Sequence, residues 1–144
     1  EALFELMTEM AAEERLYIGV GIADVTRIDS DNILKASLWA MGQSIADLSV
    51  GPRSVLVDGN KLPELPMPAL ALVKGDARSL SIAAASIIAK VTRDRMMVAL
   101  SEEFPAYKWA SNKGYGTKDH QQALAEHGVT MHHRQSFKPI KALL

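Results

Sequence analysis

The fold class is written most clearly in SVLVDGNKLPELPMPALALVKGD, residues 54–76. Two short runs, Val55-Leu56-Val57 and Ala69-Leu70-Ala71-Leu72-Val73, are apolar throughout, the pattern of strands buried on both faces. Each leads to an acid beside a glycine, Asp58-Gly59 in one case and Gly75-Asp76 in the other. Between them KLPELPMP places three prolines in eight residues, which forces a loop.

The flanking sequence supplies helices. Upstream, residues 1–14 carry Leu3, Leu6, Met7 and Met10 at helical spacing, and Arg15–Ala23 alternates with β-rich residues and two glycines, predicting a strand. A second helix is expected to start near Asp29-Ser30-Asp31 and to stop before Gly51-Pro52. Downstream, Ser79 or Ser81 caps a long helix that ends before Pro105. Thr117 caps a last helix over 118–127, closed by Gly128, and residues 129–144 read as irregular. The order α-β-α-β-β-α-α is that of an α/β sandwich, and nothing marks a repeat or a linker, so residues 1–144 read as a single domain.

Composition narrows the class. With 144 residues, 48% hydrophobic and 23% charged, the chain is of ordinary globular make-up and is not a disordered tail or a fibre. No apolar run reaches the roughly 18 residues of a membrane span, so no membrane partner is expected. The absence of cysteine excludes a disulfide scaffold and a thiolate zinc site, and suits a reducing, cytoplasmic setting. The acidic start shows no signal peptide, and it opens on Glu1 rather than Met, so the chain need not begin where its gene begins. Charge is unevenly spread: residues 1–72 balance at −6 and residues 73–144 at +5, the latter holding all four histidines. Such a basic half suits a polyanionic partner, and equally suits solvated faces.

Asp58 and Asp76 are the first candidates for chemistry. Ligands of open α/β sheets gather beyond the carboxyl ends of strands, and two carboxylates emerging there side by side repel unless a divalent cation bridges them. Oxygen donors without Cys or a His cluster favour Mg²⁺ or Mn²⁺ over zinc. The competing reading makes each Asp a simple strand terminator in an Asp-Gly turn. Lys74, Arg78 and Ser79–Ser81, approaching a helix N-terminus, add an anion site, and metal beside anion suggests phosphoryl chemistry. In Lys113-Gly114-Tyr115-Gly116-Thr117, glycines on both sides push the tyrosine outward. Framed by Lys108, Lys113 and Lys118, its ring suits stacking on a base or sugar, or else folds back over the core. Asp94 reads as the partner of Lys90 one turn earlier, His132-His133 as surface residues, and Tyr107 and Trp109 as packing.

The segments IDSDNILKASLWAM (28–41), VDGN (57–60), VKGD (73–76), SIAAASIIAKVTRDR (81–95), NKGYGT (112–117) and HHRQSF (132–137) occur in one order. Together they closely resemble bacterial type 2 ribonuclease H, ribonuclease HII, over essentially the whole chain. The resemblance implies a ribonuclease H-like three-layer fold, a mixed sheet of five strands flanked by helices. It also implies an endonuclease that cuts RNA in RNA–DNA hybrids and at single ribonucleotides in duplex DNA, leaving 3′-hydroxyl and 5′-phosphate ends. Of the four metal-binding carboxylates of that family, Asp58 matches the third and Asp76 the fourth. Tyr115 matches the tyrosine that packs on the sugar beside the ribonucleotide.

One departure stands out. The family's first two acids form an Asp-Glu pair before a Gly-Arg-Gly turn that recognises the ribose 2′-hydroxyl, and this chain contains no such motif. The expectation is therefore a partial domain that lacks N-terminal strands, has exposed sheet edges and is inactive alone, while the complete protein is a monomer. A non-catalytic nucleic-acid-binding remnant is the alternative, and a phosphohydrolase of small molecules is a weaker third reading.

Overall fold

The structure, a computed structural model, describes residues 1–143 and divides the chain into two compact units, Glu1–Ala89 and Lys90–Leu144. Leu144, the end of the stretch read as irregular, lies outside the described residues.

The first unit centres on strands β1 (Val55–Asp58) and β2 (Ala69–Leu72), which pair in parallel with Val55 opposite Ala69 and Asp58 opposite Leu72. A parallel neighbour requires the chain to travel back the full strand length before it restarts. Four residues span only about 13 Å, so the proline-rich connection suffices without a helix. Both strands lie where the apolar runs predict them. Burial is less complete than expected: Val57 is buried, but Leu56 and Leu70, paired across the ladder, are 45% and 56% exposed.

Helices α1 (Ala2–Ala12), α2 (Val25–Asp31) and α3 (Ile33–Ala46) precede the sheet. Of the apolar stripe on α1, Met7 is buried while Leu3 and Leu6 remain exposed. The expected helix start near Asp29–Asp31 is corrected, because those residues belong to α2, capped by Asp24, whose carboxylate accepts from the Arg27 amide at 2.8 Å. Asn32 then caps α3, adopting a φ of +75° and accepting from the Leu34 and Lys35 amides at 3.0 and 3.2 Å. The short asparagine side chain reaches the orphan amides, so one residue turns the corner and starts a helix. Arg27 secures the corner, its guanidinium 4.1 Å from the Trp39 ring centroid and 2.5 Å from the Asp31 carboxylate.

The strand expected over 15–23 does not form. Residues 17–24 are without helix or ladder, and they lie against α3. A Cβ on Gly19 would fall on the Ser44 carbonyl oxygen, and one on Gly21 on that of Ala40. The Val20 amide donates instead to the Asp47 carboxylate at 3.0 Å. The alternation that reads as a strand is real, but a strand exists only when another strand accepts its backbone bonds. Among the described residues the sheet has two strands, both parallel, so neither the five-strand count nor the mixed pairing is seen; the α/β class holds. An open cleft of about 360 Å³ lined by Val20, Ile22, Trp39 and Gln43 lies along this segment and excludes both candidate aspartates.

Helix α4 (Leu80–Glu103) follows a 3₁₀ turn (Gly75–Ala77), with the Ser79 carbonyl accepting the first helical bond from Ala83 at 2.9 Å. The second unit adds another 3₁₀ turn (Pro105–Tyr107), α5 (Trp109–Asn112), α6 (Lys118–His127) and α7 (Lys138–Lys141). Thr117 caps α6 and Gly128 ends it, as expected, whereas α7 gives the tail a helical turn that was not foreseen. The core here is Tyr107, Trp109, Ala123, Leu124 and Ile140, with Met97, Leu100, Phe104 and Val129 against it. Trp109 is only 2% exposed and stacks on Tyr107 with centroids 5.1 Å apart, so both aromatics are packing residues. The Tyr107 hydroxyl donates to the Gly128 carbonyl at 2.9 Å. No described helix is long and apolar enough to cross a membrane.

Candidate active-site edge and tyrosine loop

Parallel pairing in this register brings the carboxyl ends of β1 and β2 to the same edge. Asp58 is the last residue of β1, and its Oδ1 accepts from the Gly75 amide at 2.7 Å. The ladder is extended past it by a bond from the Gly59 amide to the Leu72 carbonyl at 2.9 Å. Asp76 follows Gly75 immediately, within the 3₁₀ turn, and its Oδ1 accepts from the Ala77 amide at 2.9 Å. Both residues are exposed, and one oxygen of each carboxylate is oriented by a backbone N–H.

Gly75 makes this approach possible. A Cβ there would stand 2.6 Å from Ile82 Cδ1 and 3.2 Å from Asp58 Oδ1. The sequence reading named Gly75 only as a neighbour of Asp76 and missed its amide as the contact that joins the two acids. Lys74 turns the chain with a φ of +55° and is exposed, as is Arg78, whose Nη1 lies 3.4 Å from the Val73 carbonyl. No group of three or more His, Asp or Glu side chains suited to a metal occurs among the described residues. The donors at this edge are the two carboxylates, all oxygen, a chemistry that fits a hard cation.

The second unit carries the tyrosine loop. Lys113 and Gly114 take φ values of +50° and +78°, and Tyr115 is 62% exposed. The loop is tied down on every side. The Asn112 side chain donates to the Tyr107 carbonyl at 2.7 Å and accepts from the Gly114 amide at 2.9 Å. The Tyr115 amide donates to the Asn112 carbonyl at 2.8 Å. Of the lysines expected to frame the ring, Lys108 pairs with Asp119 at 3.2 Å, and the Lys113 ammonium donates to the Ala110 carbonyl at 2.5 Å. The cation over the ring is Arg93, 5.6 Å from its centroid, with Nη1 donating to the Lys113 carbonyl at 2.8 Å. Arg93 sits in the VTRDR motif, yet nothing in the local sequence signals that it reaches residues twenty positions away.

The histidines also differ from expectation. His133 is 7% exposed rather than a surface residue, and His132 is half-buried with its ring edge-on to Phe104 at 5.2 Å. His133 Nε2 and His120 Nε2 lie 3.1 Å apart, and His120 is itself 6% exposed. The Thr130 amide donates to His133 Nδ1 at 3.0 Å, so that nitrogen carries no proton. Burial, and then the adjacent His120, push the His133 pKa down from 6.5 to about 4. Asp94 pairs with Lys90 as expected; that hydrogen bond holds its carboxyl below the usual range, although its Oδ1 is buried with no hydrogen-bond partner.

An α/β framework with a small parallel sheet flanked by helices is consistent with the ribonuclease H-like class. A family model described as ribonuclease HII matches residues 2–140, and the chain belongs to that family. It is 55% identical over 138 residues to the ribonuclease HII of Magnetococcus marinus, covering 91% of this chain and 65% of that protein. The ribonuclease HII of Aliivibrio salmonicida is 51% identical over 140 residues, covering 97% of this chain and 68% of the relative. That of Psychromonas ingrahamii is 47% identical over 144 residues, covering 100% and 71%. The chain thus spans about two thirds of the length of these relatives.

Proposed function

We propose that this chain is part of a type 2 ribonuclease H, a cytoplasmic endonuclease, monomeric when complete. It cleaves the RNA strand of RNA–DNA hybrids and cuts at single ribonucleotides in duplex DNA, leaving 3′-hydroxyl and 5′-phosphate ends. The observation that carries this reading is the convergence of Asp58 and Asp76 on one turn, in a chain matched to ribonuclease HII over residues 2–140. That match across both compact units also supports residues 1–144 as parts of one domain.

Asp58 and Asp76 would hold divalent metal, and their oxygen-only chemistry fits Mg²⁺ or Mn²⁺. Two such ions, when bound, supply an activated water and stabilise the leaving 3′-oxygen. A backbone amide fixes one oxygen of each acid, Gly75 N–H on Asp58 and Ala77 N–H on Asp76, and leaves the other oxygen of each for a cation. Lys74 and Arg78, exposed around the same turn, neutralise phosphate. In the second unit Tyr115 stacks on the sugar beside the ribonucleotide. Lys113 keeps two ammonium N–H groups for the backbone beyond its bond to Ala110. The test is cleavage of a duplex containing one ribonucleotide by the intact protein. Asp58→Asn is expected to abolish it, and near-normal turnover by that variant would overturn the assignment.

A second reading concerns residues 1–144 by themselves. Of the four metal-binding acids that the resemblance implies, Asp58 and Asp76 match two, and the Asp-Glu motif of the other two does not occur in residues 1–144, which favours binding of duplex without cutting. Robust Mg²⁺-dependent cleavage by the purified 144-residue chain would refute it.

A further inference from the structure

The exposed Tyr115 ring is held from beneath by buried groups that none of the chemistry above uses. The Tyr115 carbonyl accepts from the Thr117 amide at 2.8 Å and from His120 Nδ1 at 3.0 Å. A carbonyl only accepts, so His120 must carry its proton on Nδ1. Its other nitrogen is approached by two donors, Trp109 Nε1 at 3.4 Å and His133 Nε2 at 3.1 Å. His133 can donate there because its own Nδ1 is committed as the acceptor of the Thr130 amide at 3.0 Å. A single consistent set of protons follows, running from the Thr130 N–H through His133 and His120 to the Tyr115 carbonyl. With the Thr130 hydroxyl, 2.9 Å from His133 Nδ1, as a second donor to that nitrogen, this assignment meets each of these contacts.

We propose that His120 is a positioning residue for Tyr115: its Nδ1–H, held in that tautomer by His133, anchors the loop that presents the ring to nucleic acid. The inference rests on the reading of Tyr115 as the substrate-contacting ring. The physical reason is pre-organisation. An exposed aromatic on a loop of left-handed residues loses conformational entropy when it orders on a ligand, and anchoring its backbone beforehand removes that cost. The anchor is durable because both imidazoles are nearly solvent-free, where an unmet donor is costly and a met one persists.

The test measures affinity of the intact protein for a duplex with one ribonucleotide, by fluorescence anisotropy in EDTA so that no turnover occurs. Tyr115→Ala is expected to weaken binding about tenfold, within the range for loss of a stacked aromatic. His120→Leu should weaken it comparably in the native background and have no further effect in the Tyr115→Ala background. His120→Asn, whose amide N–H replaces Nδ1–H, should recover most of the loss. Multiplying losses, or an Asn variant as weak as Leu, would overturn the proposal. No loss with Tyr115→Ala would instead overturn the nucleic-acid reading of Tyr115, and this inference with it. Because a core substitution can compromise folding, ¹⁵N imidazole shifts of the unsubstituted protein give an independent check. They should report Nδ1–H for His120 and Nε2–H for His133 at neutral pH, and the opposite tautomers would overturn the proposal.

Discussion

The carboxylate of Asp58 is hydrogen-bonded, at 2.7 Å, to the backbone amide of Gly75, the residue that immediately precedes Asp76. That bond ties the end of β1 to the turn after β2, the turn that carries Asp76. It also separates the two consequences of changing Asp58. Asp58→Asn retains an oxygen for the Gly75 amide, so its melting temperature should change little. Metal-dependent cleavage by the intact protein should fall by more than about a hundredfold, since even groups that only support a ligand are worth 10–100-fold. Parallel thermal melts and single-ribonucleotide cleavage assays check both halves.

Gly75→Ala tests the same contact from its other side. The new methyl would crowd Ile82 Cδ1 at 2.6 Å and Asp58 Oδ1 at 3.2 Å. Ile82 is buried and can yield only by repacking, so the expected loss is about 1–3 kcal/mol of stability, together with displacement of Asp58. Urea denaturation measures the first effect, and Mn²⁺ affinity by calorimetry the second.

Gly21→Ala should be more damaging. Its Cβ would land on the Ala40 backbone carbonyl, which cannot rotate away as a side-chain tip can, so residues 17–24 would have to lift off α3. Hydrogen exchange is expected to rise across 17–24 and along the facing turn of α3, with a lower melting temperature. An unchanged exchange pattern would contradict this packing.

Salt and aromatic contributions to nucleic-acid binding should separate. Replacing Lys74 and Arg78 with Gln is expected to flatten the salt dependence of duplex affinity, with each lost phosphate contact lowering the log–log slope by about one. Tyr115→Ala should lower affinity while leaving that slope unchanged. Anisotropy titrations over a salt series distinguish the two.

Acid should weaken the fold through His133. Its pKa is lowered from 6.5 to about 4 in the folded chain, so between those values the unfolded state binds a proton that the folded state refuses. The stability gained by keeping it neutral is complete above about pH 6.5 and is lost as pH falls toward 4. The slope is at most about 1.4 kcal/mol per pH unit from this group. Burial is the main cause of that lowering, and the neighbouring His120 and His132 rings add to it. Urea midpoints at pH 7.5 and 5 should differ accordingly, and His133→Asn should reduce the difference.

Much of the local structure was legible because its signals lie within a few residues of one another. The apolar runs at 55–57 and 69–73 form strands, the second ending one residue early at Leu72, and the proline loop of KLPELPMP, Thr117 before α6 and Gly128 after it stand where expected. The misread elements are those whose state depends on a distant partner. Residues 15–23 carry a strand pattern, but pairing requires a neighbouring strand, and the glycines instead let this segment lie on α3. The Asn32 corner was lost because three acidic or hydroxyl residues just before it looked like better caps. The adjacent histidines 132–133 read as surface residues of an irregular tail, whereas the neighbours of His133 in space are Tyr107, Trp109 and His120.

Residue type and motif order are one-dimensional properties, and they carry the α/β class, the family resemblance and the choice of Asp58 and Asp76 as candidate acids. Tertiary structure alone decided that Asp58 meets the amide beside Asp76 across a separation of 17 residues. It likewise decided that Arg93 rides over Tyr115, and that His120 and His133, 13 residues apart, share a proton line ending on the Tyr115 carbonyl. Those relationships depend on which backbone segments approach within hydrogen-bonding distance. That approach is set by packing the whole chain at once, so no window of sequence contains it.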